Sequence, residues 1–324
     1  MSSKEKNIYT FLGKVILVTL LIVLFIRCFF VESFTICSPQ MESTLSGDDK
    51  VLIYKTTYGI RIPITILSIP FTFDNMLGLK SYSSAIELPY KRLFESGAKR
   101  DDIVLFNNPV ETDKPLDKRS LILSRIAGIP GDSIEMREGQ VIVNGQKQVV
   151  SPATIDRYKI ASGSYDIEKV ISELDIRIQG QKVEQDTLIL HLNKYDAFVL
   201  NECLPDTINL IPCPADSTQS YKFAIPRKSE NISITEDNFA YYRQIIQREN
   251  NTDNVVFDNG ILFIDGVKQD GYTFRDDYYW VLSDNKEKSL DSRHLGFVPF
   301  SNIIGKAGFI WYSKDKSHRF SSVE

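Results

Sequence analysis

The chain has 324 residues, with 38 Lys+Arg against 42 Asp+Glu for a formal net charge of -4, 43% hydrophobic residues and four cysteines. This is a globular composition, long enough for one large or two ordinary domains, and a charge so near zero leaves no basic footprint for nucleic acid. Four cysteines without a C-x-x-C pair, and three scattered histidines (His191, His294 and His318), argue against a disulfide scaffold and a metal motif. No cofactor or metal is expected.

The first element in chain order is a transmembrane anchor over residues 11–31, preceded by a cytoplasmic tail over 1–10. Phe11 to Val31 is apolar except at Gly13, Lys14, Thr19, Arg27 and Cys28. At about 1.5 Å per residue such a helix is roughly 31 Å long, matching a bilayer core of about 30 Å. Lys14 and Arg27 lie near its ends, where long basic side chains reach the headgroups. The stretch after it, from Arg27 to Phe34, carries no small-x-small cleavage site, so the segment reads as an uncleaved anchor. Lys4, Lys6 and Lys14 place the N-terminus in the cytoplasm by the positive-inside rule. The rest of the chain then faces an exoplasmic space, where Cys203 and Cys213 either pair or remain thiols.

Beyond residue 32 the sequence reads as strands and turns. Ile60 to Phe73 is apolar but holds Pro63 and Pro70, so it suits an edge strand or a membrane-touching loop better than a second spanning helix. Gly139 to Gly145 and Gly260 to Gly266 are matching β-rich runs that end in Asn-Gly and Asp-Gly, the dipeptides of tight hairpins. The expected fold is mainly β, an antiparallel Greek-key-like arrangement in two core segments, 32–150 and 255–324. The more polar residues 151–254 form an inserted subdomain.

Three stretches carry the functional argument. Cys37-Ser-Pro-Gln-Met-Glu-Ser-Thr-Leu-Ser-Gly-Asp48 resembles S-G-S-M-x-P-T-L-x-x-G-D, and Arg125-Ile-Ala-Gly-Ile-Pro-Gly-Asp132 resembles K-R-x-x-G-x-P-G-D. Ser283-Asp-Asn-Lys-Glu-Lys-Ser-Leu-Asp-Ser-Arg293 resembles G-D-N-R-x-x-S-x-D-S-R. A fourth, Arg100-Asp-Asp-Ile-Val-Leu-Phe-Asn-Asn-Pro109, is similar to R-G-D-I-V-x-F-x-x-P. In this order after a membrane anchor, they resemble the type I signal peptidases, membrane-bound serine proteases that remove signal peptides.

The resemblance implies a Ser-Lys dyad, and both of its positions are substituted. Gln40 stands where the family has the nucleophilic serine, and Ser124 stands where it has the general-base lysine. Such a dyad needs a hydroxyl to attack the scissile carbonyl and a desolvated, neutral amine to take its proton. Gln40 offers no comparable nucleophile, Ser124 is no base near neutral pH, and Arg125 stays protonated. Rescue would have to draw on Ser38, itself matching the oxyanion-hole serine, on Ser43, which has no identified base, or on Lys118, six residues before Ser124.

Ser289, Asp291 and Arg293 match the family residues that support the base, and they fit a buried polar turn braced by an Asp-Arg pair equally well. Gly131-Asp132 reads as a turn. The resemblance therefore implies a signal-peptide-processing protein that is impaired or inactive, with signal peptides or preproteins, the lipid bilayer and an active paralogue as partners. The alternative is an active serine endopeptidase working through a displaced nucleophile.

Overall fold

The computed structural model describes residues 3–66, 75–76, 79–80, 82–83, 85–137, 140–147, 153–161, 166–184, 187–205, 207–213, 221–285 and 288–323. The chain begins with a helix over Ser3–Phe29, whose apolar part, Tyr9–Phe29, has a mean hydropathy of 2.4 and is covered by no other element. From Tyr9 to Val23 its side chains are exposed all round, as they are on a lipid-facing helix. One residue, Phe30, separates it from the strand Val31–Thr35.

That junction is tied by charge. Arg27 pairs with Glu32 at 3.1 Å, Lys55 pairs with the same carboxylate at 2.7 Å, and Lys55 Nζ also donates to the Arg27 carbonyl at 3.1 Å. Burial pushes the Glu32 carboxyl up, but Lys55 and then Arg27 outweigh it and hold the group below its ordinary value.

The main sheet runs in the order Val31–Thr35, Lys50–Tyr54, Ile303–Tyr312, Ile103–Asn107, Leu121–Gly128, Tyr278–Leu282 and Val298–Pro299, with Ser321–Ser322 also paired to Ile303–Tyr312. All strand pairs among the described residues are antiparallel. Ile103–Asn107 is central and entirely buried, because its alternating side chains feed two cores. Ile103 and Leu105 pack with Met41, Leu45, Val51, Ile53 and Leu123; Val104 and Phe106 pack with Tyr58, Ile126, Val281 and Phe300.

A second sheet orders Gln146–Lys147, Gln140–Val143, Ser133–Arg137 and Tyr221–Ala224. With the helix Glu236–Asn250 it shares an aromatic core in which the Phe223 ring lies 4.6 Å from Trp280 and 5.1 Å from Phe297. The segment 155–213 builds a separate core, with Ile160, Leu190, Leu192 and Leu200 buried between the strands Ile155–Ala161 and Thr187–Asn193 and the helix Lys194–Cys203. Residues 221–254 thus pack with Ile134 and Trp280, while 155–213 pack among themselves.

Both expected hairpins are present. Asn144-Gly145 joins Gln140–Val143 to Gln146–Lys147, and Asp265-Gly266 joins Ile261–Ile264 to Val267–Gln269. The four turn residues have φ of 53, 78, 50 and 79°, the paired positive values of a type I′ turn. In the Ile60 to Phe73 segment, Ile60–Arg61 pairs with Arg92–Leu93, whereas residues 67–73 lie outside the described residues. All four cysteines, Cys203 and Cys213 included, are free thiols.

Candidate active site

The first motif leaves the sheet at Ile36 and turns through a short 3-10 helix, Pro39–Met41, with Ser38 at its N-cap. Pro39 suits the first helical position, and Met41 anchors the turn in the core. The Ser38 side chain is exposed and makes no cap bond. Gln40 is half-buried, and its carbonyl accepts a 2.9 Å bond from the Asn285 amide. One backbone hydrogen bond thus joins the first motif to the third.

The second motif lies on Leu121–Gly128, where Ser124 pairs with Val104 and is fully buried. Its Oγ lies 3.2 Å from Ser283 Oγ, also buried. The Ser283 amide donates to Asp291 Oδ2 at 3.0 Å, and Ser289 Oγ donates to the same oxygen at 3.2 Å. Arg293 grips that carboxylate with both faces of its fork, Nε to Oδ1 at 2.9 Å and one terminal nitrogen to Oδ2 at 2.8 Å, and donates to Ser289 Oγ at 2.7 Å. Asp291 also caps the helix Ser292–Leu295 by accepting from the Arg293 amide.

A second ion pair closes the patch. Arg125 donates to both oxygens of Asp284 at 3.1 Å, and Thr44 Oγ1 donates to Asp284 Oδ2 at 2.5 Å. The three motifs therefore meet through Gln40–Asn285, Thr44–Asp284–Arg125 and Ser124–Ser283–Asp291. Both buried carboxylates face guanidiniums in bidentate pairs.

Ser43 Oγ is buried with no hydrogen-bond partner among the described residues, and Lys118 sits in the turn Leu116–Lys118 with its Nζ 5.5 Å from the centre of the Tyr82 ring. Asp132 is a brace: it accepts a bidentate pair from Arg100 at 2.6 and 3.0 Å and single bonds from the Ile129 amide and Asn144, both at 2.9 Å. Burial raises its carboxyl, and Arg100 together with the Ile129 amide and Asn144 more than offsets this, leaving the group below its ordinary value. It thereby ties the fourth motif to the second.

Sequence reasoning passed over Ser283, Asp284 and Thr44. The signal for Ser283 was present, since the pattern it resembles carries glycine at that place. A side chain there supplies the hydroxyl that meets Ser124.

Comparisons with known proteins identify the family. The model of the family described as signal peptidase, peptidase S26, matches residues 10–202 and 264–312. A protein named signal peptidase I from Buchnera aphidicola subsp. Schizaphis graminum is 26% identical over 311 residues, covering 92% of this chain and 73% of its own. Signal peptidase I of Rickettsia bellii (strain OSU 85-389) is 25% identical over 302 residues, with 93% and 72% covered, and that of Rickettsia canadensis is 27% identical over 293, with 90% and 76% covered. With the family model spanning well over half of the sequence and the motifs gathered at one patch, the chain belongs to the signal peptidase family, peptidase S26, and carries among its described residues one helix long and apolar enough to anchor it in a membrane.

Proposed function

We propose that this protein is a non-cleaving signal peptidase homologue that holds signal-peptide segments of preproteins at the exoplasmic face of a bacterial-type plasma membrane, its N-terminus in the cytoplasm. The observation that carries the reading is the buried 3.2 Å contact of Ser124 with Ser283. Where the dyad calls for an amine, two hydroxyls satisfy each other, and neither accepts a proton at neutral pH. Gln40, beside them, brings an amide where the attacking oxygen belongs.

Peptide binding does not need the dyad. The strand Val31–Thr35 ends the main sheet, so its outer edge offers backbone groups to an extended peptide just before Ser38. Ser38 and the Asp291–Arg293 brace keep the shape of the site. Relatives named signal peptidase I supply the substrate class, preproteins with signal peptides. A holding protein of this kind works beside an active paralogue that does the cutting.

The test is incubation of the full-length protein, solubilised in detergent, with a preprotein carrying a photocrosslinker in its signal peptide. Crosslinking without cleavage supports the reading. Cleavage, with a specific serine labelled by an acylating inhibitor, would establish the displaced-nucleophile enzyme instead. Absence of both removes the binding role.

A further inference from the structure

The two-stranded ribbon of Ile60–Arg61 and Arg92–Leu93 places Arg61 opposite Arg92. Arg92 is only 6% exposed. Its guanidinium carbon lies 4.4 Å from the centre of the Phe300 ring and 5.9 Å from that of Tyr90, and one terminal nitrogen donates to the Ile303 carbonyl. Its Nε and its other terminal nitrogen are buried with no hydrogen-bond partner among the described residues. Arg61 donates to Asn107 Oδ1 at 2.7 Å, and among the described residues its second terminal nitrogen is likewise buried and unmatched, as is the Tyr90 hydroxyl.

Glu95 lies near enough to act on Arg92 and Tyr90 with no hydrogen bond to either among the described residues, and two other nearby carboxylates are engaged elsewhere. Asp117 accepts from Thr65 Oγ1 at 2.7 Å and from the Thr65 and Ile64 amides, and Asp276 accepts from the Ser301 and Asp277 amides. Burial, and then Arg92, push Arg61 down to about 10; burial lowers Arg92 as well. Two like charges withdrawn from water, with three unmatched nitrogens and an unmatched phenol, call for an oxyanion with several acceptor oxygens. Phosphate, with several acceptor oxygens, matches guanidinium forks and a hydroxyl in kind.

The ribbon also lies close to the anchor. Lys55, bonded to the carbonyl of Arg27 in the last turn of the membrane helix, is separated from Arg61 by the turn Lys55–Tyr58, Gly59 and Ile60. At about 2 Å per residue in that turn and 3.3 Å beyond it, Arg61 lies within roughly 16 Å of Lys55 along the chain. Around the ribbon Ile66, Leu88, Leu93 and Phe94 are exposed, Phe94 by 86%. Exposed apolar side chains beside a buried cationic pair suit acyl chains below a headgroup.

We propose that Arg61, Arg92 and Tyr90 form a binding site for the phosphate of a membrane phospholipid. The site stands whether or not the protein cleaves peptides. The experiment takes the full-length protein in a maltoside detergent, which carries no phosphate. It measures the thermal midpoint and, by native mass spectrometry, retained lipid. The probes are dioleoylphosphatidylglycerol, the phosphate-free dioleoylglycerol, and inorganic phosphate against chloride of equal ionic strength.

The expected result is that the phospholipid raises the midpoint and is retained, while dioleoylglycerol does neither. An Arg61→Gln, Arg92→Gln double variant with an unchanged circular dichroism spectrum should bind the phospholipid at least tenfold more weakly, and Tyr90→Phe should bind it several-fold more weakly. Stabilisation by inorganic phosphate alone would overturn the lipid assignment and leave a site for a soluble oxyanion. No response of the unmodified protein to either phosphate source, or equal retention by the folded double variant, would overturn the site. If the double variant does not fold, the comparison of phospholipid with dioleoylglycerol on the unmodified protein and on Tyr90→Phe decides the matter.

Discussion

Ser283 Oγ sits 3.2 Å from Ser124 Oγ, so on the proposed reading, in which Ser124 holds the dyad's lysine position, the two hydroxyls occupy the space the amine needs. On that reading restoring the dyad takes three changes. Gln40→Ser with Ser124→Lys alone forces a long amine against Ser283 in a fully buried site. The triple variant that adds Ser283→Gly should cleave a preprotein at least tenfold faster than the double variant, with the unmodified protein showing no cleavage. A gel-shift time course measures all three, and a double variant as fast as the triple would show that Ser283 does not obstruct the site.

Asp291 is fully buried and holds Ser289, Arg293, the Ser283 amide and the cap of Ser292–Leu295. Asp291→Ala leaves a half-buried guanidinium without its counter-ion, and should cost about 3 kcal/mol of stability by analogy with other broken buried pairs. Urea unfolding of the detergent-solubilised protein would report it as a lowered midpoint.

Glu111 accepts from the Ser120 amide at 3.1 Å, from the Ser120 hydroxyl, and from Lys114 at 3.0 Å. Burial acts to raise its carboxyl, yet these bonds prevail and bring it to about 2. Because the folded value is depressed, its stabilisation is complete above the unfolded carboxyl pKa of about 4.3 and is lost as the pH falls towards 2. The thermal midpoint of Glu111→Gln should lie below that of the unmodified protein at pH 6, with the gap closing between about pH 4 and pH 2. A gap independent of pH would assign the loss to something other than this carboxylate.

A Cβ at Gly305 would lie 2.5 Å from the Tyr54 carbonyl oxygen and 2.9 Å from its carbon, both backbone atoms of a paired strand. Gly305→Ala should cost about 1–3 kcal/mol through overpacking. At Gly128 the clash is with the side-chain ends of Ile225 and Ile134, which have rotamers to yield, so Gly128→Ala should cost less. Paired thermal melts of the two variants check the order.

How much of this was legible in the sequence follows the range of the forces involved. The anchor and both type I′ hairpins depend on neighbouring residues, so Phe11 to Val31, Asn144-Gly145 and Asp265-Gly266 announce themselves. The resemblance brought the three site motifs into view together, and the Asn285–Gln40 bond joins two of them. Ser124 and Ser283 are 159 positions apart, and only the register of Tyr278–Leu282 against Leu121–Gly128 brings them into contact. Arg61 and Arg92 each look ordinary in sequence, and pairing across the ribbon is what removes both from water.

The junction of Arg27, Glu32 and Lys55 has a further consequence for how the protein meets its substrates. The membrane helix passes into the main sheet through one residue, and the ion cluster clamps its last turn to the strand pair. The first motif begins within a few residues of the same strand, so its height above the lipid is fixed by covalent geometry. Anchor and sheet together act as a ruler. A signal peptide presents at that height whichever residues the length of its own apolar run happens to deliver there.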